Sequence, residues 1–151
     1  MKNVFALTVL LLISSVASAM GEVECVSAKV AIALAPSSSG APGFEAILTV
    51  SRDEKVTTLR YDMNIDFIGV ECRKNHLGRT FIVFQAYCGG SGCKDLDNFG
   101  IIDPTDLRVL LVPNDWNRAD AARIFGGPVG AVDNVISLDD IRGAHAFWLN
   151  R

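Results

Sequence analysis

Thr58-Leu59-Arg60-Tyr61-Asp62-Met63-Asn64-Ile65-Asp66-Phe67 is the clearest pattern in the chain, and the fold class follows from it. Successive side chains of an extended chain point to opposite faces. Leu59, Tyr61, Met63, Ile65 and Phe67 therefore share one face, and Thr58, Arg60, Asp62, Asn64 and Asp66 share the other. A dry face and a wet face mark an antiparallel sheet with a solvated side. The pattern predicts one strand, which Val70 and Cys72 extend past Gly69, with Gly69 as a bulge.

The neighbours on both sides read the same way. Upstream, Val26, Ala28, Val30, Ile32 and Leu34 alternate with Ser27, Lys29, Ala31 and Ala33, which predicts a half-buried strand. Pro36-Ser37-Ser38-Ser39-Gly40-Ala41-Pro42-Gly43 stops it and forms a hairpin connection. Phe44, Ala46, Leu48 and Val50 predict the next strand, and Ser51-Arg52-Asp53-Glu54-Lys55 a polar turn.

Downstream, Arg73-Lys74-Asn75-His76-Leu77-Gly78 is a further turn. Residues 80–87 are apolar on both faces, so that strand is expected to be central. A short strand over 99–102 leads through Asp103-Pro104-Thr105-Asp106, a type I turn, to a returning strand over 107–112.

Helix comes late. Asn117 is expected to cap it, with Ala121, Ile124 and Phe125 as its apolar stripe, Gly126 as its end and Trp116 stapling it to the sheet. Ser137-Leu138-Asp139-Asp140 has the pattern of a capping box, and residues 145–149 that of a last strand with Phe147 inward. Strands followed by helix predict an α+β fold, an antiparallel sheet of five to six strands with one short C-terminal helix packed on it.

The start of the chain gives an address. Lys2 precedes an apolar run over residues 4–16, and Ala17-Ser18-Ala19 supplies small residues at a cleavage spacing. This reads as a signal peptide over 1–19, leaving one domain over 20–151 in the periplasm. No later run reaches the roughly 18 apolar residues of a spanning helix, so a membrane span is not expected. The net charge is −3, and acids and bases are interleaved. That excludes a basic surface for nucleic acid or for an anionic membrane.

The chain has four cysteines, Cys25, Cys72, Cys88 and Cys93. In an oxidising compartment an even count predicts two disulfides, with three pairings open. The glycines between Cys88 and Cys93 let the chain turn back, which favours that pair and leaves Cys25–Cys72.

Few residues suggest chemistry. Gly89-Gly90-Ser91-Gly92-Cys93 lacks the last glycine of a nucleophile elbow and has no parallel α/β sheet around it, which argues against Ser91 as a nucleophile. His76 and His145 are far apart in sequence. Asp62 and Asp66 would lie about 13 Å apart on one strand, where a glycosidase pair needs roughly 5–10 Å. Asp95, Asp97, Asp103 and Asp106 fall at calcium-loop spacing, but Phe99 and Pro104 interrupt the pattern, and turn or cap roles are the plainer reading. No cofactor is expected.

What remains is Tyr87-Cys88-Gly89-Gly90-Ser91-Gly92-Cys93-Lys94-Asp95. A disulfide-closed glycine loop offers free backbone N–H groups and loses little entropy on docking. Tyr87, Gly89, Gly90, Ser91, Gly92, Lys94 and Asp95 are the candidate partner-binding residues.

The Cys-x4-Cys loop, entered from a strand, resembles over residues 86–93 the loop of the periplasmic vertebrate-lysozyme inhibitor family. Members of that family push such a loop into the lysozyme active site. Their loop carries a charged, histidine-containing stretch where this sequence has Gly89-Gly90-Ser91-Gly92. Residues 98–125 also look like small exported bacterial proteins, which implies a fold but no activity. The resemblance implies a non-enzymatic inhibitor or immunity protein whose partner is a wall-degrading enzyme or effector. Two other readings stay open. One is a small periplasmic hydrolase or carbohydrate-acting enzyme using Asp62, Asp66, His76 or His145. The other is a structural subunit of an envelope complex.

Overall fold

A computed structural model of the chain describes residues 19–37, 44–61, 65–91, 98–114 and 116–138. The first sheet is an antiparallel meander of β1 (Ala19–Cys25), β2 (Ala28–Pro36), β3 (Phe44–Arg52) and β4 (Lys55–Tyr61). The second contains β5 (Phe67–Lys74), β6 (Thr80–Tyr87), β7 (Gly100–Ile102), β8 (Val109–Leu111) and β9 (Val135–Ser137), in the order β8-β7-β6-β5-β9. Helix α1 (Arg118–Phe125) lies between β8 and β9 in sequence.

The α+β class stands, but the single sheet does not. The stretch read as one strand across residues 58–72 is two strands in two sheets, β4 and β5, with 62–64 outside the described residues. Alternation specifies which face is dry within one strand, and the positions facing the larger core change from odd in β4 (Leu59, Tyr61) to even in β5 (Ile68, Val70). Leu59 and Tyr61 are partly buried while Thr58 and Arg60 are exposed, as the alternation requires.

Gly69 is no bulge. It sits opposite Gln85 in unbroken register, and a Cβ there would lie 2.7 Å from the Asn134 carbonyl oxygen and 3.0 Å from Val132 Cγ1. Glycine is needed because the chain leading into β9 passes directly against it. β1 and β9 were not expected. Among its described side chains β1 turns Val23 and Cys25 inward and leaves Glu22 and Glu24 exposed. Ser137 ends β9 and Leu138 after it is helical, while the rest of the expected capping turn lies outside the described residues.

The two sheets face each other over the larger core. Val30, Ile32, Leu34, Leu48 and Val50 of the first sheet pack against Ile68, Val70, Ile82, Phe84 and Ile102 of the second. The other face of the second sheet, Phe81, Val83 and Ile101, packs against Ala121 and Phe125 of α1 and against Val129 and Val132. β6 therefore lies between two cores, which is why its sequence is apolar on both faces. Its one polar interior residue, Gln85, points to the helix side, where Oε1 accepts the Val132 N–H at 2.7 Å.

Asn117 precedes α1 but does not cap it with its side chain. Its Oδ1 accepts the Phe99 N–H at 2.8 Å, and Nδ2 donates to the Phe99 and Val112 carbonyls at 2.6 and 2.8 Å. This amide ties the helix to the sheet. Trp116, expected to do so, is 71% exposed. Gly126 ends the helix in the left-handed region at φ 85°, and its N–H and that of Gly127 donate to the Ala122 carbonyl.

Cys25 and Cys72 form a disulfide that joins the end of β1 to β5, and so one sheet to the other. Two bridges were expected. Among the described residues this one forms; Cys93, and with it the Cys88–Cys93 pairing, lies outside them. No helix among the described residues is long and apolar enough to cross a membrane. Residues 1–18 of the expected signal peptide and the last strand expected over 145–149 also lie outside the described residues.

Candidate functional site

β6 ends where Tyr87 pairs with Phe67 of β5, and the two rings stack with centroids 5.3 Å apart. The chain then leaves the sheet. Tyr87 and Cys88 are half-buried, while Gly89, Gly90 and Ser91 are exposed. The structure thus places four of the expected partner-binding residues, Tyr87, Gly89, Gly90 and Ser91, in succession at one end of the second sheet. Gly92, Lys94 and Asp95 lie outside the described residues.

Asp66 grips the base of this loop. Its Oδ2 accepts the Gly89 N–H at 2.6 Å. Its own N–H donates to the Tyr87 carbonyl at 3.0 Å, and its carbonyl accepts the Leu138 N–H at 2.7 Å. The alternation had put Asp66 on a solvated face beside Asp62 and Asn64. Only the pairing of Phe67 with Tyr87 distinguishes it, and local sequence does not carry that register. Gly89 is also sterically required, since a Cβ would lie 2.7 Å from Phe67 Cε2.

Among the described residues, the other candidates do not assemble around the loop. Asp66 and His76 lie beyond opposite ends of β5, a span of roughly 25 Å or more at the rise of a strand. Asp62 and His145 lie outside the described residues. Asp103 Oδ1 accepts the Thr105 N–H and Asp106 Oδ1 accepts the Arg108 N–H, so both serve the turn between β7 and β8. Asp95 and Asp97 lie outside the described residues, and no group of three metal-ligating side chains forms among the described ones.

A second polar cluster, not anticipated, closes the far side of β5. Arg73 donates to the Gly130 and Ala131 carbonyls and pairs with Glu71, whose Oε1 accepts the Asp133 N–H. Burial pushes the Glu71 carboxyl up. The Asp133 N–H, the Arg73 guanidinium and the Asn134 N–H together outweigh that and hold it below its ordinary value. With its oxygens occupied in this way, the carboxylate has a structural role. Burial alone pushes the Tyr61 phenol far above its ordinary range.

Three surface hollows of similar size lie elsewhere. One of about 450 Å³ opens between β1 and β9 over Val23, Ile32, Val70 and Ile136. A second of about 450 Å³ runs beside Trp116 over Ala119, Ala122, Pro128 and Val129. The third, about 490 Å³, adjoins the Arg52–Lys55 turn and Thr105. Neither Asp66, His76 nor the loop lines any of them.

Comparison with known proteins finds no family model, no curated relative and no solved structure that matches the chain.

Proposed function

We propose that this chain is an exported, non-enzymatic domain that binds another protein, and that it does so through the loop closed by Cys88 and Cys93. The most concrete form is an inhibitor or immunity protein whose partner is a wall-degrading enzyme or effector in the periplasm. One observation carries the reading. Gly89, Gly90 and Ser91 are exposed while the loop base is hydrogen-bonded to Asp66 and stacked on Phe67. A segment that is both presented and ordered before docking loses less entropy when a partner closes over it. Cys88 is not a free thiol, which supports the clasp.

The test is the double variant Cys88→Ser/Cys93→Ser in the mature protein. A loop this short removes little chain entropy from the unfolded state, so the melting temperature should fall by only a few degrees. Capture of the partner from periplasmic extract and purified secreted wall hydrolases, identified by mass spectrometry, should be lost. Undiminished capture by the double variant, or outright unfolding, would overturn the recognition role.

A further inference from the structure

We infer that Asp66 is the positioning residue of the recognition loop, an inference that rests on the function just proposed. The contact between its Oδ2 and the Gly89 N–H at 2.6 Å is a charge-assisted hydrogen bond, stronger than a neutral one. It is made to a glycine whose amide would otherwise be left to water. The backbone of Asp66 is itself fixed from two sides, by the Tyr87 carbonyl of β6 and by the Leu138 N–H just after β9. The carboxylate therefore reaches the loop from a residue whose own orientation is already set.

Phe67 adds a second grip of different chemistry. Its ring stacks on Tyr87 and occupies the space that a Cβ at residue 89 would take. Two consecutive residues thus hold the loop at two points, residues 87 and 89, and set the direction in which the exposed Gly90 and Ser91 leave the sheet. Loss of the carboxylate frees Gly89 to rotate and returns to the binding step an ordering cost that the fold has already met.

Two variants test this in the full mature chain. Asp66→Ala removes the acceptor, and Asp66→Asn keeps an acceptor oxygen in place. Amide exchange is read at Gly89, Gly90 and Ser91, with Val83 in the middle of β6 as the internal control for folding. Asp66→Ala should speed exchange at Gly89 by about tenfold or more, with Val83 still protected, and Asp66→Asn should restore most of the protection. Equal exchange in wild type and Asp66→Ala overturns the inference, whatever the loop binds. If Asp66→Ala loses protection at Val83 as well, the Asp66→Asn comparison decides, and wild-type exchange at Gly89 in a folded Asn variant supports the acceptor role. Binding is read separately, with the protein captured in the double-cysteine experiment. The Ala variant should bind about tenfold more weakly, chiefly through faster dissociation, with the Asn variant close to wild type. Faster loop exchange with unchanged affinity would sink the recognition reading while leaving the hydrogen bond itself intact.

Discussion

Glu71 joins sequence to stability through its titration. Its folded-state carboxyl lies below the ordinary value of 4.5 because Arg73 and the amides of Asp133 and Asn134 favour the charged form over the opposing effect of burial. A depressed carboxyl stabilises the fold at pH values above its unfolded-state titration, and that contribution disappears as the pH falls through the folded-state one. Stability should therefore fall as the pH drops below about 4.5. Glu71→Gln should be less stable than wild type at pH 7 and should show a shallower decline on acidification, both measurable by urea unfolding across pH. A parallel decline in the two proteins would refute the assignment. None of this was legible in the sequence, because Glu71 sits on a strand whose partner contacts come from residues 130–134, about sixty positions away. Asp66 was hidden for the same reason. Gly89, Gly90 and Ser91 could be singled out because their spacing between two cysteines is a local property.

At the scale of elements, alternation found β2 and β3, a run apolar on both faces found β6, short apolar runs on either side of a turn found β7 and β8, and the glycine after an apolar stripe found the end of α1. Alternation missed the break between β4 and β5, because the change of inward positions from odd (Leu59, Tyr61) to even (Ile68, Val70) reads as a bulge at Gly69 within one strand. It passed over β1, where Val23 and Cys25 turn inward among polar neighbours Glu22 and Glu24. β9 pairs with β5 over only three residues, Ser137, Ile136 and Val135 opposite Phe67, Ile68 and Gly69. That short contact depends on Gly69. Gly69→Ala places a methyl group against the Asn134 backbone, which cannot swing aside as a side chain could. The variant should lose about 2 kcal/mol in urea unfolding and should lose amide protection in β9 first. Gly100 faces the Phe84 ring in the β6–β7 register, so the ring covers a position with no side chain of its own.

Over the whole molecule, residues 19–61 build one sheet and residues 67–137 hold the other, together with the helix. The Cys25–Cys72 bridge spans 47 positions and crosses between the sheets. A closed loop of that size contributes about 4 kcal/mol in the chain-entropy account. Cys25→Ala/Cys72→Ser should therefore shift the urea midpoint substantially, and a reductant should destabilise the wild type by at least a similar amount while affecting the variant, left with the short loop bridge proposed above, far less. A shift smaller than about 1 kcal/mol would mean that the unfolded chain gains little freedom when the bridge is removed. The pairing was legible from cysteine count and glycine placement alone. That it staples two sheets was not, because the sequence pointed to one.

The division at the crossover has a consequence for engineering. Among the described residues, no strand of either sheet borrows a hydrogen-bonding neighbour from the other half of the polypeptide, so scission between Tyr61 and Ile65 would sever no described ladder. The bridge would keep the two pieces covalently attached. Secreted as separate genes, the halves have the makings of a split reporter, reassembling through their shared oily interface and locked by oxidation.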